Sequence, residues 1–170
     1  MSHTPAAAAA TGTLKRAEFW TALSSKNATA SKKGKALWTL GGKLHRVRYD
    51  RKFGTGSGVF IELMLDLHEG KRAWWYARQK ASHGLWFGQK ADGTWLCSPI
   101  PLAQLRLWFP DPYTPPAKIN GKRARRDGTK GQGKHTTGVR LTREQVIHIR
   151  SHAPPSPVVI PATVSDLFGA

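Results

Sequence analysis

From Val59 to Leu67 the side chains alternate, with Val59, Ile61, Leu63, Leu65 and Leu67 on one face. Phe60, Glu62, Met64 and Asp66 take the other, and a two-residue period predicts a half-buried strand. Strand-like runs at Ala36–Leu40 and Lys43–Asp50 flank Gly41-Gly42, a pair suited to the positive φ angles of a tight hairpin turn. Arg72–Gln79 reads as another strand, and the tryptophan pair Trp74-Trp75 should then point to opposite faces. Leu85–Lys90, the turn Ala91-Asp92-Gly93 and Thr94–Cys97 predict a second hairpin. Helical spacing appears at both ends of this block. Thr13 is placed to cap a helix to about Ser24, and Pro101–Phe109 reads as a short helix stopped by Pro110.

The expected class is therefore α+β: a small, Trp-rich antiparallel sheet of about six strands, flanked by short helices and basic disordered tails. Residues 1–12 are expected to be disordered, 13–109 to form the domain, 110–140 to be a Pro/Gly-rich basic linker, and 141–170 to be a small helical segment. Leu141–His152 supplies that helix. Thr142 and Gln145 have capping-box spacing, Val146 and Ile149 give it an apolar face, and Thr163–Phe168 could add a last turn. On this reading the apolar segments between 36 and 109 are self-contained and fold without the C-terminal third.

Charge changes what the tails are for. Among 170 residues, 27 Lys+Arg face 10 Asp+Glu, a net of +17. Residues 1–52 carry a net +9, 53–109 a net +2 and 110–170 a net +6. Lys118–Arg140 alone holds eight basic residues and one acid, Asp127, with many glycines. Solubility asks for a net charge of only about 2–8 in a small domain. A glycine-rich cationic run is suited to phosphate, because Lys and Arg that neutralise phosphates release counterions. The expected partner is nucleic acid, DNA more than RNA, bound mainly through phosphate contacts. Candidate contacts are Lys32, Lys33 and Lys35; Arg46, Arg48, Arg51 and Lys52 on the hairpin strand and its loop; and Lys122, Arg123, Arg125, Arg126, Lys130 and Lys134 on the linker. Glycines in the loop RKFGTGSG (51–58) could let backbone amides approach phosphates. The clustered aromatic residues could stack on unpaired bases, although tryptophans more often fill cores.

LTREQVIHIR, residues 141–150, resembles the opening helix of the helix-turn-helix segments appended to phage-type homing endonucleases and related DNA-binding proteins. That resemblance implies a DNA-contacting module and suits a phage or mobile-element accessory factor. Four prolines between Ser151 and Pro161 stand where the second helix would develop. A metal-dependent nuclease is the alternative. Its acids would be Asp50, Glu62 and Asp66, with Mg²⁺ as the only cofactor expected, but Glu62 and Asp66 sit roughly 13 Å apart along one strand. His148 and His152 lack the glutamate of a zinc hydrolase helix, so no metal ligand is assigned. The third reading is a basic interaction protein for an acidic protein or ribonucleoprotein surface, anchored by tryptophans. A single cysteine, Cys97, excludes a disulfide framework. No apolar run approaches the ~18 residues of a membrane span, and Met1–Ala10 lacks the features of a signal peptide. No membrane contact is expected, and the expected location is the cytoplasm, that of the host if the chain is phage-encoded.

Overall fold

The computed structural model describes residues 5–23, 28–30, 36–66, 69–113, 115–131 and 134–155. In chain order the elements are α1 (Pro5–Leu23), β1 (Ala28–Ala30), β2 (Leu37–Leu40), β3 (Lys43–Tyr49), β4 (Val59–Asp66), β5 (Lys71–Arg72), β6 (His83–Gln89), β7 (Trp95–Pro101) and α2 (Leu102–Trp108). The hairpin β8 (Lys118–Ile119) and β9 (Lys122–Arg123) follows, then β10 (Arg125–Gly131), β11 (Lys134–Leu141) and α3 (Arg143–Ser151). The chain is α+β, with a Trp-rich, antiparallel-dominated strand architecture and flanking helices.

The strands divide between two main sheets rather than forming one. One has the order β1-β2-β3-β6-β7 and the other β10-β11-β4-β5. Between β3 and β6 the chain crosses into the second sheet and returns, so these two strands run parallel instead of as successive hairpin partners. Val59, Ile61 and Leu63 of β4 and Val139 and Leu141 of β11 are buried in one core with Trp86 and Ile100 of the other sheet. Leu102, Leu105 and Trp108 of α2 and Val146 and Ile149 of α3 belong to the same core. A second cluster forms where Phe19 of α1 packs on Trp38, Val47, Leu85 and Phe87. Phe19 and Phe87 stack with ring centroids 4.4 Å apart.

Four expectations are corrected. Helix α1 starts at Pro5 rather than Thr13: Ala6–Ala10 have the highest helix propensity, and proline fits a first turn. Trp74–Tyr76 is a 3₁₀ turn, not strand, and only Lys71–Arg72 pair with β4. Trp75 is fully buried, with its Nε1–H donating to the Glu62 carbonyl at 2.7 Å. Arg106 fixes the turn by donating to the carbonyls of Trp75 and Ala77. Trp74 and Trp75 thus do not straddle a sheet.

The largest correction concerns residues 110–140. Most of the expected linker is strand: β11 pairs with β4 and carries β10 on its outer edge. Backbone pairing, together with burial of Ile119, Ala124, Val139 and Leu141, offsets the entropy that composition alone suggested would keep this run unfolded. The capping box is present, with the Gln145 N–H donating to Thr142 Oγ1 and Gln145 Oε1 accepting from the Thr142 N–H. Helix α3 is docked: Val146 and Ile149 are buried, Arg150 donates to Ser98 Oγ, and Trp108 Nε1–H donates to the His152 carbonyl. Residues 152–155 are not helical, and Thr163–Phe168 lies outside the described residues.

Candidate nucleic-acid interface

Asp50 organises the loop that follows β3. Its Oδ1 accepts from the Lys52 N–H at 3.0 Å and its Oδ2 from the Phe60 N–H at 2.9 Å, which closes residues 51–58 onto the start of β4. The Asp50 carboxylate also faces Arg140 of β11 at 3.6 Å. Arg140 is only 14% exposed; it donates to Asp127 Oδ2 at 2.9 Å and to the Gly58 carbonyl at 3.1 Å, and its guanidinium lies over the Phe60 ring. One arginine therefore joins the loop, β4 and the β10–β11 ribbon.

Around this junction is an open cleft of about 680 Å³, lined by Asp50, Arg51, Lys52, Ser57, Phe60, Arg125, Arg126, Asp127 and Arg140. Five cations against two carboxylates leave its lining at +3. The carboxylates are engaged with Arg140, and Asp127 also takes Arg125 at 3.0 Å. Arg51, Lys52, Arg125 and Arg126 are exposed at the rim. Arg126 is steadied by donating to the Pro112 carbonyl at 3.2 Å. Arg51 and Lys52 present exposed donors at this rim, beside Arg125 and Arg126, which are already oriented by Asp127 and the Pro112 carbonyl.

Beyond the last pairing with β4 at Thr137, β10 and β11 continue as a short two-stranded ribbon, with Thr129 opposite Thr136, Lys130 opposite His135 and Gly131 opposite Lys134. The backbone places Lys130 and Lys134 near its end. Lys32, Lys33 and Lys35 lie outside the described residues. Lys122 and Arg123 are exposed on the neighbouring β8–β9 hairpin. Arg46 and Arg48 do not line the cleft. Arg48 Nη2 donates to both carboxylate oxygens of Glu62 at 2.8 and 2.9 Å, and Arg46 stacks on Trp74 in a separate pocket.

Two of the three glycines of the loop, Gly54 and Gly58, are pressed against the protein's own backbone. Gly58 has φ +81°, and a Cβ there would run into the Leu141 carbonyl. The nuclease candidates are likewise structural in what they touch: Asp50 closes a loop and Glu62 holds Arg48. Asp66 is placed by its backbone pairing with Lys71. Among the described residues no three His, Cys, Asp or Glu side chains converge as metal ligands would. His148 and His152 stack at 4.1 Å along α3, with His152 Nδ1 hydrogen-bonding both the His148 carbonyl and Ser151 Oγ.

Arg140 and Asp127 were absent from the sequence-derived site, although Gly138-Val139-Arg140-Leu141 alternates as a strand does and would have flagged the element carrying Arg140. No family model, curated protein or solved structure matches the chain.

Proposed function

We propose that the protein binds nucleic acid, duplex DNA in preference to duplex RNA, chiefly through phosphate contacts. The observation that carries this reading is the junction around Arg140, which assembles Arg51 and Lys52 from one loop with Arg125 and Arg126 from a ribbon distant in sequence. Arginine forks and lysine points suit phosphate oxygens, and Arg51, Lys52, Arg125 and Arg126 are all exposed at the rim. DNA is favoured by the ribbon beside the cleft. A two-stranded ribbon fits the ~12 Å major groove of B-form DNA, whereas the major groove of A-form RNA is deep and narrow. The cleft grips the backbone and the ribbon lies in the groove next to it.

The test is a titration of a fluorescent 30-base-pair duplex over a series of salt concentrations (about 30 pairs gives room for one or more footprints). Each phosphate neutralised contributes about 0.9 to the slope of log affinity against log salt. Replacing Arg51, Lys52 and Arg125 together by Ser is expected to lower that slope by up to about 2.7, equally for unrelated sequences. A slope unchanged by the triple substitution, in a protein whose thermal midpoint is also unchanged, would remove the cleft from the interface. Equal affinity for DNA and RNA duplexes would remove the ribbon.

A further inference from the structure

Arg16, Arg46, Arg78 and Lys80 line a second pocket of about 480 Å³, formed between α1, the start of β2 and residues 77–80, with Leu37 and Gln79 in its wall. Its lining contains four cations and no carboxylate. The contrast with the cleft is chemical: there Asp50 and Asp127 offset the positive charge, whereas here like charges share one concavity. Arg46 is fixed in place. Its guanidinium lies 4.6 Å from the Trp74 ring centroid and Nη1 donates to Gln79 Oε1 at 3.3 Å. Gln79 Nε2 donates in turn to the Trp74 carbonyl at 2.7 Å, and Trp74 leans on Trp86 with centroids 6.2 Å apart. A guanidinium stacked on a ring and tied through one nitrogen keeps its remaining planar donors oriented for an anion.

We infer that this pocket is an anion site separate from the cleft and takes two or more linked phosphates, the group shared by a free nucleotide and the 5′ end of a nucleic-acid chain. Its volume falls in the ~300–1,000 Å³ range of small-ligand sites and exceeds what one phosphate fills. Four cations match the charge of linked phosphates, and the exposed Arg78 can present a two-pronged face to neighbouring oxygens. Burial and the charge of Arg48 hold the Arg46 pKa below its ordinary value, outweighing the pull of Glu62, and a bound anion would relieve that cost. The inference does not depend on duplex binding at the cleft.

The experiment is isothermal titration of the full chain with inorganic tripolyphosphate at physiological salt. Two variants each remove two charges: Arg78→Ser/Lys80→Ser in the pocket and Lys71→Ser/Lys90→Ser, two exposed lysines that line neither site. Affinity is expected to fall about tenfold or more in the first and less than about twofold in the second. Arg46→Lys, which keeps the charge and loses the planar fork, is expected to weaken binding by about fivefold or more. Equal losses in the two double variants would show attraction to net charge alone and overturn the site, as would absence of binding at millimolar tripolyphosphate. ATP, and a single-stranded hexanucleotide with a 5′-triphosphate or a 5′-hydroxyl, separate the two sources. ATP binding that is lost in the pocket variant assigns a free nucleotide; a pocket-dependent preference for the 5′-triphosphate assigns a chain end; failure of both overturns the proposal. Duplex titration of the same proteins keeps the two readings apart. Duplex binding without tripolyphosphate binding eliminates the pocket alone, and the reverse result eliminates the cleft alone.

Discussion

His45 and His83 sit opposite each other where β3 and β6 run parallel, with ring centroids 5.0 Å apart. His45 Nδ1 donates to the Lys43 carbonyl at 2.9 Å, and His83 Nδ1 hydrogen-bonds Ser82 Oγ at 2.8 Å. Burial lowers both pKa values from the ordinary 6.5, and the charge of Lys43 adds to the effect on each. Between 6.5 and those depressed values, the unfolded chain takes up protons that the folded chain refuses, so stability falls as pH falls through this window. The urea midpoint is expected to be flat from about pH 8 to 7 and to drop from about 6.5 towards 5. The double variant His45→Asn/His83→Asn should lose much of that drop, since neither side chain titrates. An identical pH dependence in the variant would assign the acid sensitivity to other groups.

At the scale of elements, the ribbon shows both what could be read from sequence and what could not. Gly41-Gly42 signals its hairpin and delivers it, with φ angles of +55° and +73°. Asn120-Gly121, with φ +52° and +74°, carries the same signal between β8 and β9, yet it stood inside a run whose charge suggested disorder. Composition misled there because the partner of β11 is β4, far away in sequence, and its pairing leaves no local trace. The alternation of β4 was legible as far as Leu63. The register then shifts against β11 between Gly138 and Thr137, and Leu63 and Met64 are both buried, so burial no longer alternates. Gly138 is small for a reason that sequence does not disclose: a Cβ there would meet the Ile61 carbonyl and lie 2.7 Å from the Phe60 ring. Gly138→Ala is expected to cost about 1–3 kcal/mol by forcing β11 away from β4, read as a lower urea midpoint. The cleft would suffer with it, since Arg140 follows two residues later; unchanged stability would mean that the ribbon can shift without loss.

For the whole molecule, the boundary expected near residue 110 does not exist in the packing. Ile119, Val139, Leu141, Val146 and Ile149 are all buried in the core that also holds Trp86 and Leu105. At about 1.5–3 kcal/mol for each large side chain, their burial amounts to roughly 7–15 kcal/mol, comparable with the ~5–15 kcal/mol net stability of a typical domain. A chain ending at Tyr113 is therefore expected to lose cooperative urea unfolding and the fluorescence of buried tryptophan, whereas a self-contained 36–109 core would keep both. The same long-range pairing sets a schedule for synthesis. β4 is complete at Asp66, but β11 ends at Leu141, 75 residues later. At about 5–20 residues per second, the ribosome needs roughly 4–15 s to deliver that partner. Throughout that interval, one edge of β4 and its row of Val, Ile and Leu remain available to any other nascent chain translated from the same message.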